Sequence, residues 1–544
     1  MGRGNSAEDG MCQAIALGGG LRYCETVTES PAHATDSKPI RAPRGEGLSC
    51  KGWKQEAALR LLMNSLDPAV AERPEELIVS GGIGKLASDW PAFHAIVNSL
   101  RTVEDDETFV ISDGEPGPIL KTNADAPRVL VVNSTLSSTN SRIAANWMFT
   151  GPGSALPEAY ETFRAAARKH FGGTLAGRLV VAGGMGAMGG AQALAATLNG
   201  AAFLGIDADM ASIKRRVKSG YCQVMINDLD EALRILKNAV RKREPASVGL
   251  IGNASELLPE FVSRGVLPDL LTDQTPADDP LGYIPQGLSV AQAAELRERD
   301  PRAYRERALD SIAAQFRAML ELRKMGAIVF EFGNGIRAQA LARGVAEAAE
   351  IPDFASEYLQ PELAQGRGVM SFIALSGDCD DLDRIDDLVS ELFSGTELRE
   401  WMGIARKRPL PGLPARNCWM GPNEAIKLAS AINDLVARGQ IKVPVAMGRS
   451  IRQSAAKQLL ANEAVLRAVN SVPSAQEFAD WPGLPALLQA ASGAAWLSIE
   501  AAPRTHETTG QNLSFIVLAD GKPQTADHIE HLFTNQFAAP SSPS

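Results

Sequence analysis

The sequence is poor in the residues that build metal centres and disulfide frameworks. Its 544 residues hold six cysteines and six histidines. Cys12, Cys24, Cys50, Cys222, Cys379 and Cys418 form no CxxC pair and the histidines no HExxH, so neither disulfides nor zinc are expected. His528 and His531 stand i, i+3 on an expected C-terminal helix, where two ligands alone make a poor site and a solvated face is the better reading. The acidic run DCDDLDRIDD at Asp378–Asp387 fits no calcium-loop spacing and reads as a helix N-terminus favoured by the helix dipole. Long apolar runs are also missing. Nothing approaches the ~20 residues needed to cross a bilayer, and the start lacks a convincing signal-peptide core, which predicts a cytoplasmic protein with no membrane partner. Positive charge is in deficit: a net charge of −10 and a pI near 5.4 exclude nucleic acid as the main partner. A small molecule is the expected partner.

What is present is a stretch around which the chain is organised, RLVVAGGMGAMGGAQALAATLNGAAFLGID at Arg178–Asp207. Arg178–Ala182 is β-branched and apolar, Gly184-x-Gly186-x-x-Gly189 follows at once, and Ala191–Leu198 consists of strong helix formers. Asp207 ends the next apolar run, about 20 residues beyond the glycines. Strand, glycine turn, helix, strand and acid in that order form a dinucleotide site. Glycines let backbone N–H groups approach a pyrophosphate, the helix N-terminus adds partial positive charge, and the carboxylate accepts from ribose hydroxyls. NAD⁺ is the expected cofactor.

Strands and helices alternate from about 150 to 350, with strands at 178–182, 202–206, 222–226 and 247–251 and helices at 190–199, 209–217, 229–241 and 255–264. Short links between them predict parallel βαβ units in a doubly wound sheet, with ligands at the carboxyl ends of the strands. That topology puts Gly184–Gly189, Asp207, Asn253, Ala254 and Asp273-Gln274-Thr275 on one rim. A long helix at 301–325 precedes a strand at Ile328–Phe332 that enters Gly333-Asn334-Gly335. Residues 1–38 have no sustained period and read as a disordered extension. Further expected elements are a strand at Leu77–Ser80 entering Gly81-Gly82, helices at 54–64 and 89–100, strands at 109–112, 129–132 and 372–375, and a helix at 387–393. Helices at 423–438, 454–469, 484–491 and 525–535 and strands at 494–500 and 513–518 complete the reading.

The chain resembles the urocanase family over about residues 40–540. The resemblance rests on IRAPRG (40–45), SLDPAVAERPEEL (65–77), GGIGKLASDW (81–90), DAPRVLVVNS (125–134), GGMGAMGGAQALAAT (183–197), GNASELLPEFVSRGV (252–266), TDQTPADDPLGYIP (272–285), FEFGNGIR (330–337), ALSGD (374–378), GLPARNCW (412–419) and DWPGLPALLQAASGAAWLS (480–498). It implies an α/β protein with a Rossmann-type NAD domain, residues 150–357, inserted between N- and C-terminal parts of a second α/β domain, residues 39–149 and 358–540. It also implies a homodimer and a hydratase in which tightly bound NAD⁺ acts as an electron sink toward an imidazole acrylate, not as a hydride carrier. Carried over residue by residue, it places Ala187, Met188 and Gly189 on the pyrophosphate and Asp207 on the adenosine ribose. Asn253, Ala254, Gln274, Thr275, Tyr283 and Phe332 lie along the cofactor, with Ser80, Gly81, Gly82 and Ser141 also on its side. Cys418 falls on the family's active-site cysteine.

Departures from the family cluster at the substrate end. Ser80 replaces a tyrosine, the family's QTSAH reads Gln274-Thr275-Pro276-Ala277-Asp278, and the late glycine-rich HHGGG loop reads Glu500–Thr508. Lost arginines and histidines remove donors for a carboxylate or a ring nitrogen, which points to a changed substrate. Arg142, Arg367, Arg449 and Arg504 are the candidates for the carboxylate, and Met370 and Phe372 could wall a sulfur-tolerant pocket. For each, surface charge or core packing is the plainer reading. The pattern is similar to relatives that hydrate thiourocanate or S-methyl-thiourocanate. Urocanate itself, N-methyl-urocanate, a dehydrogenase and an inactive NAD-binding protein are the alternatives.

Overall fold

The structure, a computed structural model, describes residues 39–71, 74–78, 86–133, 147–148, 150–452, 483–501 and 511–535. The expected extension at 1–38, the Ser80–Gly84 turn, Ser141, Arg142, the helix at 454–469 and Arg504 lie outside the described residues.

Fourteen strands are assigned among the described residues: β1 Glu107–Ser112, β2 Glu115–Lys121, β3 Val129–Asn133, β4 Leu179–Gly183, β5 Ala202–Asp207, β6 Val224–Ile226, β7 Ala246–Ile251, β8 Leu270–Asp273, β9 Ile328–Val329, β10 Gly368–Ala374, β11 Ala415–Met420, β12 Val445–Arg452, β13 Trp496–Ala501 and β14 Gln511–Ala519. They form two sheets. The first is six-stranded, entirely parallel, in the order β6-β7-β5-β4-β8-β9. The second has eight strands in the order β11-β10-β12-β14-β13-β3-β1-β2 and mixes parallel and antiparallel pairs. The parallel sheet is therefore flanked in sequence by segments that share the other sheet, and the fold is α/β with a Rossmann-like middle.

The strands of the parallel sheet are continuous apolar runs because helices cover both faces. Side-chain caps start those helices: Asp209, Asp228, Asn253, Ser289 and Asp300 each accept a backbone N–H of the first turn. One apolar cluster runs from Phe163, Val180 and Phe203 to Met370, Phe372, Cys418 and Phe515. A second, with Val181, Leu204, Leu236 and Phe316, closes the other face of the parallel sheet, and a third packs Leu59, Phe93, Ile373 and Trp496.

Several sequence expectations need correction. Of the strand expected at Leu77–Ser80 only the first two residues are described: Leu77 ends a 3₁₀ turn, Pro74–Leu77, and Ile78 makes an isolated bridge with Ala87. The acidic run is not a prelude to a helix beginning at Asp387. It lies within the helix Cys379–Leu392, whose N-cap is Asp378, because carboxylates complement the positive end of the helix dipole. β9 is two residues long instead of five, since Glu331 leaves the sheet to bridge Asp353. β2, β11 and β12 and the helices Leu156–Phe171, Val290–Arg299 and Glu397–Ala405 have no counterpart in the sequence reading.

Candidate functional site

From β4 the chain moves to one side of the parallel sheet, through β5, β6 and β7, and then crosses to β8 on the other side. The switch point lies between the carboxyl ends of β4 and β8, where open α/β sheets hold their ligands. Gly183 pairs with both Ile206 and Asp273, and Asp207 pairs with Ile251, so the loops after β4, β5, β7 and β8 emerge side by side. The structure thus brings the glycine turn, Asp207, Asn253, Ala254, Gln274 and Thr275 to one rim.

The glycines of the turn do different jobs. Gly184 has φ +82°, and a Cβ there would lie 2.2 Å from Gln274 O. A Cβ on Gly189 would lie 2.2 Å from Gly184 O, so both glycines allow backbone to pack on backbone. Gly186, the N-cap of the helix Ala187–Leu198, would place a Cβ in open space. By their position in the first turn, the N–H groups of Ala187, Met188 and Gly189 have no intrahelical acceptor. A short open mouth with free amides at a helix N-terminus fits a pyrophosphate. Met188 is exposed beside it.

Asp207 sits at the end of β5. Its carboxylate accepts from Met185 N at 2.6 Å and from Asp209 N at 2.8 Å, which ties the glycine turn to the acid. Burial pushes its pKa up to about 6 against those two bonds. Asn253 caps the helix Ala254–Arg264, accepting from Ser255 N and Oγ while its amide donates to Ile284 O.

Behind the rim lies a carboxyl that the sequence reading placed there without a role. Asp273 is fully buried. It accepts from Thr275 Oγ1 at 2.6 Å, from Thr275 N at 3.2 Å, from Gln315 Nε2 and from Asn334 Nδ2. Gln315 in turn accepts from Tyr283 Oη at 2.7 Å. Burial raises the pKa of Asp273 to about 7 despite its donors. Tyr283 is therefore enclosed, supporting the loop from behind. Gln274 Nε2 donates to Phe332 O at 2.6 Å, and the Phe332 ring stacks on Phe354 at 4.1 Å and 7°. In the sequence Asp273 reads only as part of the Asp-Gln-Thr run on the rim and Asn334 as part of a Gly-Asn-Gly turn, while strand β8 and the role of Gln315, inside the long helix expected at 301–325, carry no signal of their own.

The remaining candidates lie in the second sheet and its surroundings. Cys418, on β11, is buried with Sγ 3.4 Å from Met402 Sδ, and burial pushes its thiol up to about 12, so it is protonated at neutral pH. Met370 and Phe372 are fully buried core residues on β10, and Met370 is directly opposite Cys418. Arg367 faces two carboxylates, Glu362 at 2.6 Å and Glu424 at 2.9 Å. Arg449, on β12, is buried, donates to Gly366 O at 3.1 Å, and is lowered to about 10 by burial. No group of three or more His, Cys, Asp or Glu among the described residues is arranged for a metal ion, and no described helix is long and apolar enough to cross a membrane.

Comparison with known families covers nearly the whole chain. Residues 40–151 match the Urocanase N-terminal domain, 152–358 the Urocanase Rossmann-like domain and 361–539 the Urocanase C-terminal domain. A parallel sheet with its open glycine turn at the switch point, carried between two segments that match the family's flanking domains, identifies the chain as a member of the urocanase family of hydro-lyases, enzymes that act on a small imidazole acrylate.

Proposed function

We propose that the protein is an NAD⁺-dependent hydratase of a modified urocanate, with thiourocanate or S-methyl-thiourocanate as the favoured substrates, and that it works as a homodimer. The observation that carries the cofactor reading is the cradle at the switch point: open glycine, three first-turn amides, and a carboxylate at the end of the next strand. When bound, NAD⁺ supplies an electron-poor ring that draws electron density from the imidazole and so makes the acrylate a better target for water.

The chain's own residues have separable tasks in this reading. The N–H groups of Ala187, Met188 and Gly189 hold the pyrophosphate. Asp207, whose oxygens each keep a further lone pair, accepts from a ribose hydroxyl. Gln274 and Thr275 form a wall whose shape is fixed from behind by Asp273, and the stacked Phe332–Phe354 pair stiffens the adjoining loop and excludes water. Among the described arginine candidates, Arg449, a cation buried on β12, is the one proposed for the carboxylate. The carboxyl ends of the parallel strands carry the cofactor side, while Asp278, where the family has histidine, marks the altered substrate end.

A panel of urocanate, thiourocanate, S-methyl-thiourocanate and N-methyl-urocanate, assayed on the holoenzyme by loss of ultraviolet absorbance, tests the substrate. The thio compounds are expected to give the highest kcat/KM, and a preference for plain urocanate refutes the assignment. Absorbance at 340 nm should stay flat during turnover; a rise would identify a dehydrogenase instead. Cys418→Ala is expected to fold and to lower kcat without abolishing turnover, because the protonated thiol packs against Met402 and is not poised to attack as a thiolate. An unchanged rate removes Cys418 from the site.

A further inference from the structure

The turn Gly333–Gly335 carries an amide whose hydrogen bonding is half complete. Asn334 is 7% exposed. Its Nδ2 donates to Asp273 Oδ2 and, at 2.8 Å, to Thr275 O. Its Oδ1 is buried and has no hydrogen-bond partner among the described residues. The amide cannot be turned round, because that would set its oxygen against the Thr275 carbonyl, which can only accept. The open valence is thus an acceptor, and only an N–H or O–H donor satisfies it. Buried acceptors in native proteins are almost always satisfied.

The position of this acceptor narrows the donor. Thr275, which Asn334 grips by its carbonyl, lies against the glycine turn: a Cβ on Gly184 would be 2.6 Å from Thr275 N. A Cβ on Gly335 would be 3.3 Å from Asp278, the next residues of the same wall. Asn334 therefore belongs to the carboxyl ends of β8 and β9, beside the switch point. Asp273 holds its orientation and is a positioning residue.

We propose that Asn334 Oδ1 accepts a hydrogen bond from the bound dinucleotide, given by the carboxamide N–H or by a hydroxyl of the nicotinamide ribose. The assignment rests on the NAD⁺ reading above. It adds a contact that fixes which way the nicotinamide end is turned in its pocket.

The test titrates cofactor-stripped enzyme calorimetrically with NAD⁺, with 3-acetylpyridine adenine dinucleotide, which lacks the amide N–H, and with analogues lacking the 2′- or the 3′-hydroxyl. Wild type is expected to bind one of these analogues about tenfold or more weakly than NAD⁺, and Asn334→Ala to bind NAD⁺ itself about 10–100-fold more weakly while ceasing to discriminate that analogue. The analogue that shows the effect identifies the donor. If Asn334→Ala binds NAD⁺ as wild type does, or discriminates as wild type does, the acceptor serves only an ordered water and the assignment is overturned. Melting of the apo protein reports folding. Should the alanine variant not fold, Asn334→Ser and the wild-type analogue series read the same contact, and a wild type indifferent to every analogue overturns it. A wild type that neither retains nor binds NAD⁺ brings down the NAD⁺ reading and this contact together, whereas NAD⁺-binding wild type with an unaffected variant removes Asn334 alone.

Discussion

Gly184→Ala is expected to lower stability by roughly 2–5 kcal/mol and to abolish retention of NAD⁺. Two costs add. An alanine at φ +82° is strained, and its Cβ would sit 2.2 Å from Gln274 O and 2.4 Å from Gln274 C, atoms of backbone that a rotamer change cannot move aside. Relief requires the loop after β8 to separate from the glycine turn, which opens the switch point itself. Gly186→Ala should behave differently. Gly186 has φ −63°, and its Cβ would meet no protein atom within 4 Å, so the fold should persist with a cost of a few tenths to about 1 kcal/mol at the helix cap. The added methyl instead enters the open space at this helix N-terminus, so cofactor retention should still fall if the pyrophosphate lies there. Denaturant titration of both variants, with the nucleotide released on acid treatment quantified chromatographically, separates the two effects. A Gly186→Ala protein that keeps full NAD⁺ would show that the pyrophosphate is not held in front of this helix.

Arg416→Met is expected to cost about 3–5 kcal/mol, because it strands a buried carboxylate. Arg416 lies within the GLPARNCW block on β11, and its Nε and Nη2 meet the two oxygens of Asp386 at 2.9 and 2.7 Å. Both side chains are almost completely buried, at 4% and 2% exposure. Burial already raises the pKa of Asp386, and Arg416 is the main influence opposing that rise. Without the guanidinium the folded pKa climbs further above its unfolded value. A carboxyl with a raised folded pKa contributes stability that is complete below the unfolded pKa and is lost as pH rises through the folded one. The deficit of Arg416→Met should therefore be larger at pH 8 than at pH 5. The double variant Arg416→Met/Asp386→Leu, which replaces the pair by apolar groups, should recover most of the loss and all of its pH dependence. Denaturation midpoints of wild type, Arg416→Met and the double variant at the two pH values check this, and an Arg416→Met protein as stable as wild type would mean that the clamp does not hold β11. Activity should follow stability, because β11 carries Asn417, whose amide joins the strand to Thr150 and Gly153 at the entry to the Rossmann-like segment.

The parts of the fold legible in the sequence are those set by local pattern. β4, the glycine turn, its helix and β5 fall within a few residues of expectation, because apolar runs, glycine conformations and helix formers act over one or two turns of chain. The acidic segment at Asp378 reads as a helix N-terminus in the sequence, yet the helix starts well before the expected Asp387, since its apolar positions Leu382 and Ile385 are embedded among carboxylates. β11 and β12 were missed because ARNCWM and VAMGRSIR mix charged and apolar residues. Arg416 and Arg449 are buried there through partners distant in sequence.

By itself, then, the sequence determined a parallel α/β middle segment, the glycine turn that opens it, the acid that follows and the family to which the whole belongs. Those depend on neighbours in the chain and on motifs that survive as strings. Only the tertiary structure decided that β1–β3 and β10–β14 share one sheet, that Arg367 is held by Glu362 and Glu424, and that Met370, Phe372 and Cys418 face a packed apolar layer. It alone brought Asp273, Gln315 and Asn334 together behind the rim, 61 residues apart at the widest. The reason is physical: a buried polar group is defined by which donors and acceptors surround it, and those are supplied by segments whose meeting no local pattern encodes.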